Sequence, residues 1–429
     1  MEKLALSGGP KTRKNSFPAH PVMGKEETEQ IMEVLKSGNI STFVASRGEN
    51  FLGGKKIKEF EEEFSNKIGT KYAIAFNSAT AALHAAVVAV GVQPGEEVIV
   101  PPYTFTSTAT SSLMHNAIPV FSDVKQDIFC IDPSKLENVH SDLTKAVIPV
   151  HLFGHASDMD EIMAFAKKNN LRVIEDCAQS PGGQYKNKNL GTIGDCGVFS
   201  FQESKNIMTG EGGMLVTNDE DITNAAQMVR NHGEMIISNK NRTYKSEILG
   251  WNYRMTELEA ALGVAQISKL DFLNDERIKL ANFVAREINK IDGLKHVKYD
   301  SVKHVYYAFA FSFDEVKIGI SRNLFCEALG AEGIPCSGGY VKPLYLNPLY
   351  LEKRAFAYRN YSGNVKYEKG LCPITEILHE KELVLLEICR YPATLKDMED
   401  IIAAIQKIIE NKEELIKNQI KSSNKKRNE

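Results

Sequence analysis

FSFQESKNIMTGEGG, residues 199–213, sets one lysine between two apolar runs. GVFSF (197–201) stops at Gln202, Lys205 follows, and Gly210, Gly212 and Gly213 lead into MLVTND (214–219). Two short apolar runs joined by a glycine-rich turn read as strands. The lysine between them either points into water or is held inside, where its amine becomes a nucleophile.

Upstream, short apolar runs alternate with helical segments. KYAIAF (71–76) runs into TAALHAAVVAVG (80–91), and EEVIVP (96–101) precedes TSTATSSLMHN (106–116). IPVFSDV (118–124), AVIPVHLF (146–153), the helical DMDEIMAFAKKNN (158–170) and LRVIED (171–176) continue the series. This cadence predicts an α/β fold with a mostly parallel sheet between helices, in which ligands bind at the carboxyl ends of the strands. Ahead of it, Gly8, Gly9 and Pro10, then Pro18 and Pro21, make residues 1–24 an arm. KEETEQIMEVLKSGN (25–39) and KKIKEFEEEFSNKIG (55–69) have helical spacing closed by Gly38 and Gly69.

Beyond the lysine, residues 255–290 read as one long charged helical stretch. Short strands around HVYYAFAFSF (304–313), a helix at 321–333, a tyrosine-rich loop and a closing helix at 396–415 then predict a smaller α+β domain. The expected division is a large domain at 25–285, a small one at 286–412 and a disordered basic tail at 413–429. At 429 residues the chain is too long for one ordinary core, in keeping with two domains.

A net charge of −3 gives no electrostatic reason to expect nucleic acid or an anionic membrane as partner. Seven cysteines without a CxxC pair fit reduced thiols, and no run is apolar enough for a signal peptide or a membrane span. A cytoplasmic protein is expected.

The strand ends carry the chemistry. Ser78, Ala79 and Thr80 open a helix after AIAF, either as caps or as a phosphate cradle at its positive end. Phe105 is either a core ring or a plate stacked on a planar ligand. Asp176 ends an apolar strand, and a carboxylate there must be solvated, paired or functional. Gln179, Ser200 and Lys205 follow. Anion cradle, aromatic plate, carboxylate, hydroxyl and lysine together match one ligand, pyridoxal phosphate. No GxxxxGK[ST] occurs, and GEGG lacks the strand–turn–helix grammar of a dinucleotide site. His151 and His155 have no third ligand at suitable spacing, so no metal is expected; His151 is a candidate active-site residue and His155 a structural one.

NSATAALH, GEEVIVPPYTFTSTA, IEDCAQSPGGQYKNKNLGTIGD, FSFQESKNIMTGEGGMLVTND and GWNYRMTELEAALGVAQ resemble the motifs of the DegT/DnrJ/EryC1/StrS sugar aminotransferases. The resemblance runs from LALSGGP to IIAAIQKI. It implies a fold type I pyridoxal phosphate transferase with a seven-stranded type of sheet. It further implies that Lys205 carries the cofactor's aldehyde, Asp176 faces the pyridine nitrogen, Gln179 lies on the phenolic oxygen side and Phe105 stacks on the ring. Ser78, Ser200 and the amides of Ala79 and Thr80 would hold the phosphate. Asn252 would reach the phosphate of a neighbouring subunit in a homodimer with shared sites. His151, Tyr340, Tyr345 and Arg254 are candidate substrate contacts, the tyrosines alternatively packing the domain interface and Arg254 alternatively supporting the subunit interface.

The chain departs from the family in Ala79, where the family usually has glycine, in Tyr345, where many nucleotide-sugar members carry histidine, and in Gln202. The last two are similar to the keto-cyclitol (inosose) aminotransferases and aminohydroxybenzoate synthases. The implied activity moves an amino group from glutamate or glutamine to a keto-sugar, nucleotide-linked or free, or to a keto-cyclitol. The alternatives are an eliminating enzyme like the aminohydroxybenzoate synthases and, more remotely, a non-catalytic sensor or scaffold. Lys205 argues against the family's dehydratases, in which histidine replaces it.

Overall fold

The computed structural model describes residues 2–43, 50–234 and 245–417. Its centre is a seven-stranded sheet of β1 (Tyr72–Phe76), β2 (Glu97–Val100), β3 (Ile118–Phe121), β4 (Thr144–Val147), β5 (Arg172–Asp176), β6 (Cys196–Ser200) and β7 (Gly213–Thr217), in the order β1-β7-β6-β5-β4-β2-β3. The pairs from β6 through β3 are parallel, whereas β7 runs antiparallel to both β1 and β6. The reversal follows from length: the segment of residues 201–212 holds no helix that could cross the sheet, so the chain turns straight back. The strands are apolar on both sides because helices cover both faces. Helices α1 (Lys25–Ser37) and α2 (Lys55–Ile68) precede the sheet, and α3 (Ala79–Ala89), α4 (Ser107–Met114), α5 (Met159–Asn169) and α6 (Glu220–Arg230) are interleaved with it. One buried layer joins the sheet to α3, α4 and α6, and another joins it to α2 and α5.

The expected single stretch of 255–290 is two helices, α7 (Glu257–Ile267) and α8 (Leu270–Ile288). They part where the Ser268 hydroxyl bonds the Ala265 carbonyl at 2.7 Å and the Lys269 amide turns back to Gln266, three residues away. A second, antiparallel sheet of β8 (Leu294–Lys295), β9 (Phe309–Phe313), β10 (Ser337–Gly338) and β11 (Leu383–Leu386) runs in the order β8-β9-β11-β10. With α9 (Arg322–Ala331), α10 (Leu395–Glu410) and part of α8 it encloses its own core.

The arm belongs to this second core. Leu4 is buried in it, the amides of Ala5 and Thr12 bind the Glu332 carboxylate, and Arg13 pairs with Asp397 and Asp400. The helical chain continues past residue 412. Residues 412–417 are helical and Leu415 is buried, because its side chain completes the α8–α10 packing; residues 418–429 lie outside the described chain. Among the described residues, no helix is long and apolar enough to cross a membrane.

Candidate active site

The carboxyl ends of β1, β5 and β6 meet the start of β7 at one sheet edge. Asp176 pairs with Val198, while Ser200 and Phe76 both lie opposite Gly213. Strand β1 thus delivers Ser78 and the start of α3 beside Ser200. Ser78 caps the helix, its Oγ accepting from the Ala81 amide at 3.1 Å, and the first amides of the helix have no partner within it. Glycine is required opposite. A Cβ on Gly213 would lie 2.5 Å from the Ser78 carbonyl oxygen and the Ala79 nitrogen.

Asp176 is buried at the floor. Thr108 Oγ1 donates to its Oδ2 at 2.8 Å and the Ala178 amide to its Oδ1 at 3.1 Å, yet burial outweighs these bonds and raises its pKa. Lys205 leaves a turn closed by its own amide on the Gln202 carbonyl at 2.8 Å. The Gln202 side chain stiffens that turn by accepting from the amide and hydroxyl of Ser204, and the hydroxyl in turn meets Tyr307 Oη at 3.0 Å. The Lys205 amine stands 4.4 Å from the centre of the Tyr307 ring. Burial lowers its pKa from 10.5 to about 8, against the opposing pull of Asp176 and Glu387.

These groups line a cavity of about 460 Å³, within the usual range for small-ligand sites. Phe105 stands at its wall, a large apolar ring left 60% exposed. Gln179 Oε1 accepts from the Phe153 amide at 2.7 Å and its Nε2 donates to Tyr340 Oη at 3.1 Å, so a side chain of the small domain closes the rim. A phosphate has the helix start and the hydroxyls of Ser78, Thr80 and Ser200. A protonated pyridine has Asp176, an aldehyde has Lys205, and a planar ring has Phe105. The residues present fit pyridoxal phosphate.

The family model of the DegT/DnrJ/EryC1/StrS aminotransferase family matches residues 21–385. The chain belongs to that family. As such it is a pyridoxal-phosphate-dependent aminotransferase of fold type I. It is 34% identical over 397 residues to the spore coat polysaccharide biosynthesis protein SpsC of Bacillus subtilis, covering 91% of this chain and 96% of that one. It is 30% identical over 425 residues to a putative L-glutamine:3-amino-2,3-dideoxy-scyllo-inosose aminotransferase of Micromonospora echinospora, covering 96% and 98%. With the GDP-perosamine synthase of Caulobacter vibrioides it shares 36% identity over 335 residues, 77% of this chain and 86% of that one. The crystal structure of an aminotransferase from Psychrobacter cryohalolentis superposes with a TM-score of 0.82 at 30% identity, covering 92% of this chain and 99% of that one.

Within this aminotransferase, two residues expected at the substrate lie elsewhere. His151 is fully buried outside the cavity. Its Nδ1 accepts from the Ser157 amide at 3.1 Å, which leaves Nε2 to donate to Glu175 at 3.0 Å. Strand alternation explains it, since Glu175 points to the face opposite Asp176 and His151 follows it there. Cys177 completes a group of possible metal ligands with them, but the Glu175 carboxylate already accepts from the amides of Gly191, Ile193 and Gly194.

Tyr345 is likewise buried, its hydroxyl bonded to Glu376 at 2.6 Å and to the Cys372 amide at 3.2 Å. The tyrosine-rich loop wraps the large domain instead, and Leu344 on Pro102 and Tyr350 on Thr106 brace the loop that carries Phe105. Arg254 bonds Asn231 at 2.9 Å and lies 6.0 Å from the Phe43 ring, while Asn252 is exposed; neither lines the cavity.

Sequence reasoning passed over Tyr307, Thr108, Ser204 and His20. Only the doublet Tyr306-Tyr307 after a histidine gave any signal, and it does not say which ring faces inward.

One prediction follows from the crowding at Gly213. In Gly213→Ala the new methyl must push β7 from α3. Pyridoxal phosphate affinity should fall at least tenfold and stability by ~1–3 kcal/mol, measured by cofactor titration and thermal unfolding.

Proposed function

We propose that the enzyme transfers an amino group from glutamate or glutamine to the carbonyl carbon of a keto-sugar or keto-cyclitol, in the cytoplasm, as a homodimer whose sites are shared. The observation that carries this reading is the Lys205 amine, set over the Tyr307 ring in the cavity that the buried Asp176 also lines and brought by burial to about 8. An amine of that pKa is largely protonated or largely neutral within a unit of working pH, as a group that both takes and returns protons must be.

When bound, the cofactor supplies an aldehyde that accepts the amino group and a ring that takes up the electron pair of the broken C–H bond. Lys205 would take the proton from the donor's α-carbon and hold it for return. The Tyr307 ring steadies the ammonium form in between through its π face. Asp176, fixed by Thr108 and the Ala178 amide, offers its charge to the ring nitrogen and keeps that nitrogen protonated. Ser78, Ser200 and the amides of Ala79 and Thr80 hold the phosphate, Gln179 meets the phenolic oxygen side and Phe105 covers the ring face. Tyr340 at the rim meets the substrate. Asn252, exposed and outside its own cavity, would reach the partner's phosphate.

The relatives named for inosose, perosamine and spore-coat polysaccharide chemistry support a polyhydroxylated ketone as acceptor. A donor-loaded enzyme assayed with a keto-cyclitol, a nucleotide keto-sugar and an aminodehydroshikimate tests the reading. Amination of either of the first two supports it, and turnover of the third alone overturns it in favour of elimination.

A further inference from the structure

Phe153 holds a backbone conformation that large side chains avoid. At φ 56° and ψ 10° it lies in the left-handed region, where a bulky residue is an outlier that its surroundings must hold in place. Gly154 follows at φ 93°. Two bonds of this turn are internal, from the Gly154 amide to the His151 carbonyl at 3.3 Å and from the His155 amide to the Leu152 carbonyl at 3.0 Å. The others come from residues 304–307. His304 Nε2 donates to the Phe153 carbonyl at 3.1 Å, and the Val305 amide donates to the Gly154 carbonyl, also at 3.1 Å. A Cβ on Gly154 would stand 2.8 Å from the Tyr306 nitrogen, so the two stretches meet backbone to backbone.

What the turn presents to the site is an amide. The Phe153 N–H donates to Gln179 Oε1 at 2.7 Å, and Gln179 Nε2 donates to Tyr340 Oη at 3.1 Å. These bonds set the carboxamide with its oxygen toward Phe153 and its NH₂ toward the rim, and Nε2 keeps a second hydrogen that no described residue uses. Rotation about φ turns the amide relative to the carbonyl, so relaxation of Phe153 to a negative φ would swing the N–H away from Gln179. His304 opposes that rotation as the one donor on the Phe153 carbonyl among the described residues. Its ring is fixed in turn, stacked 3.8 Å from the Tyr306 ring and meeting His155 edge-on at 5.1 Å. Burial, with His155 and His296 beside it, keeps His304 neutral, and the carbonyl fixes its single N–H on Nε2.

We propose that His304 is a positioning residue for the cofactor, acting through the Phe153 peptide to set which end of the Gln179 carboxamide faces the site. This rests on the pyridoxal phosphate reading and on the place of Gln179 at the phenolic oxygen side. Gln179 and Tyr340 line the cavity, whereas Phe153 and His304 do not, so His304 reaches the cofactor only through them. The free hydrogen on Nε2 is a donor for the phenolic oxygen. A hydrogen bond to the ionised oxygen favours the ionised form and lowers the pH at which the bound cofactor gives up its proton. A carboxamide turned end for end would set its own lone pairs against that anion, and the Phe153 amide is what forbids the turn.

The test is a double-mutant cycle of His304→Phe and Gln179→Leu, read as the pH midpoint of the visible cofactor band and as the affinity of cofactor-free protein for pyridoxal phosphate. His304→Phe should raise the midpoint by roughly 0.5–1 unit and weaken binding about 3- to 10-fold, the scale of one hydrogen bond. Gln179→Leu should do at least as much. The double variant should do no more than Gln179→Leu alone, because residues acting through one contact are not additive. His304→Gln keeps an N–H for the carbonyl and should move both readings back toward wild type. Additive shifts would overturn the assignment. So would a His304→Phe protein that melts lower without cofactor but keeps the wild-type midpoint and affinity, which would leave His304 a packing residue. A wild type with no visible band, pyridoxal phosphate supplied, would overturn the cofactor reading instead. Should His304→Phe not fold, His304→Leu takes its place in the cycle with the same readings.

Discussion

Lys205→Ala should lower turnover by on the order of 10⁴-fold or more, because one amine both anchors the cofactor and moves the proton. Folding should survive. The lysine contributes a stem over Tyr307 and no ion pair, and the turn that carries it is held by Gln202, Ser204 and Gly210 through bonds that do not involve the side chain. The variant should therefore unfold at a temperature close to wild type while binding pyridoxal phosphate reversibly. The wild-type amine reacts with an aldehyde only when neutral, and its value of about 8 lies below the ordinary 10.5. Capture of pyridoxal phosphate by the cofactor-free protein should therefore quicken as pH rises and level off above about 8, whereas an ordinary lysine would still be quickening there. Stopped-flow absorbance across that range checks the sign and the midpoint.

Asp176→Asn should cost roughly 10²- to 10³-fold in rate, the scale for losing one preorganised charge aimed at a reacting group. The amide fills the same space between Thr108 and Ala178, so the loss is electrostatic. Stability should move the other way. Burial raises the pKa of Asp176, so the folded state holds its proton more tightly than the unfolded one. Its contribution favours folding in acid and is lost as pH rises through the raised value. Cofactor-free Asp176→Asn should therefore match wild type in acid and exceed it in melting temperature at neutral pH. Bound cofactor reverses the order by giving the carboxylate its counter-charge. Thermal unfolding of both proteins with and without pyridoxal phosphate measures this crossover.

Much of the site could be read from the chain because its residues end apolar strands. Asp176 closes RVIED, Ser78 follows AIAF and Lys205 follows FSF, and in a parallel sheet such positions gather at one edge by topology. What escaped depends on which way a side chain turns. His151 ends an apolar run as convincingly as Asp176, but it points to the face on which Glu175 receives it. Tyr345 sits in a loop whose path is set by tertiary packing against Phe121. The antiparallel β7 was hidden because an apolar run has no direction. Arg277 lies in NDERIKLANFVAREINK, where a charged residue at helical spacing looks solvated, and only the approach of Tyr306 and Tyr307 buries it.

The central claim is that Lys205 carries pyridoxal phosphate for amino transfer. The visible spectrum of the purified protein, with pyridoxal phosphate supplied, before and after L-glutamate and separately L-glutamine, tests it most directly, with Lys205→Ala alongside. The account predicts a yellow band that one donor bleaches in wild type and that does not cycle in the variant. No yellow band in wild type, or the same bleaching and recovery in Lys205→Ala, would contradict it.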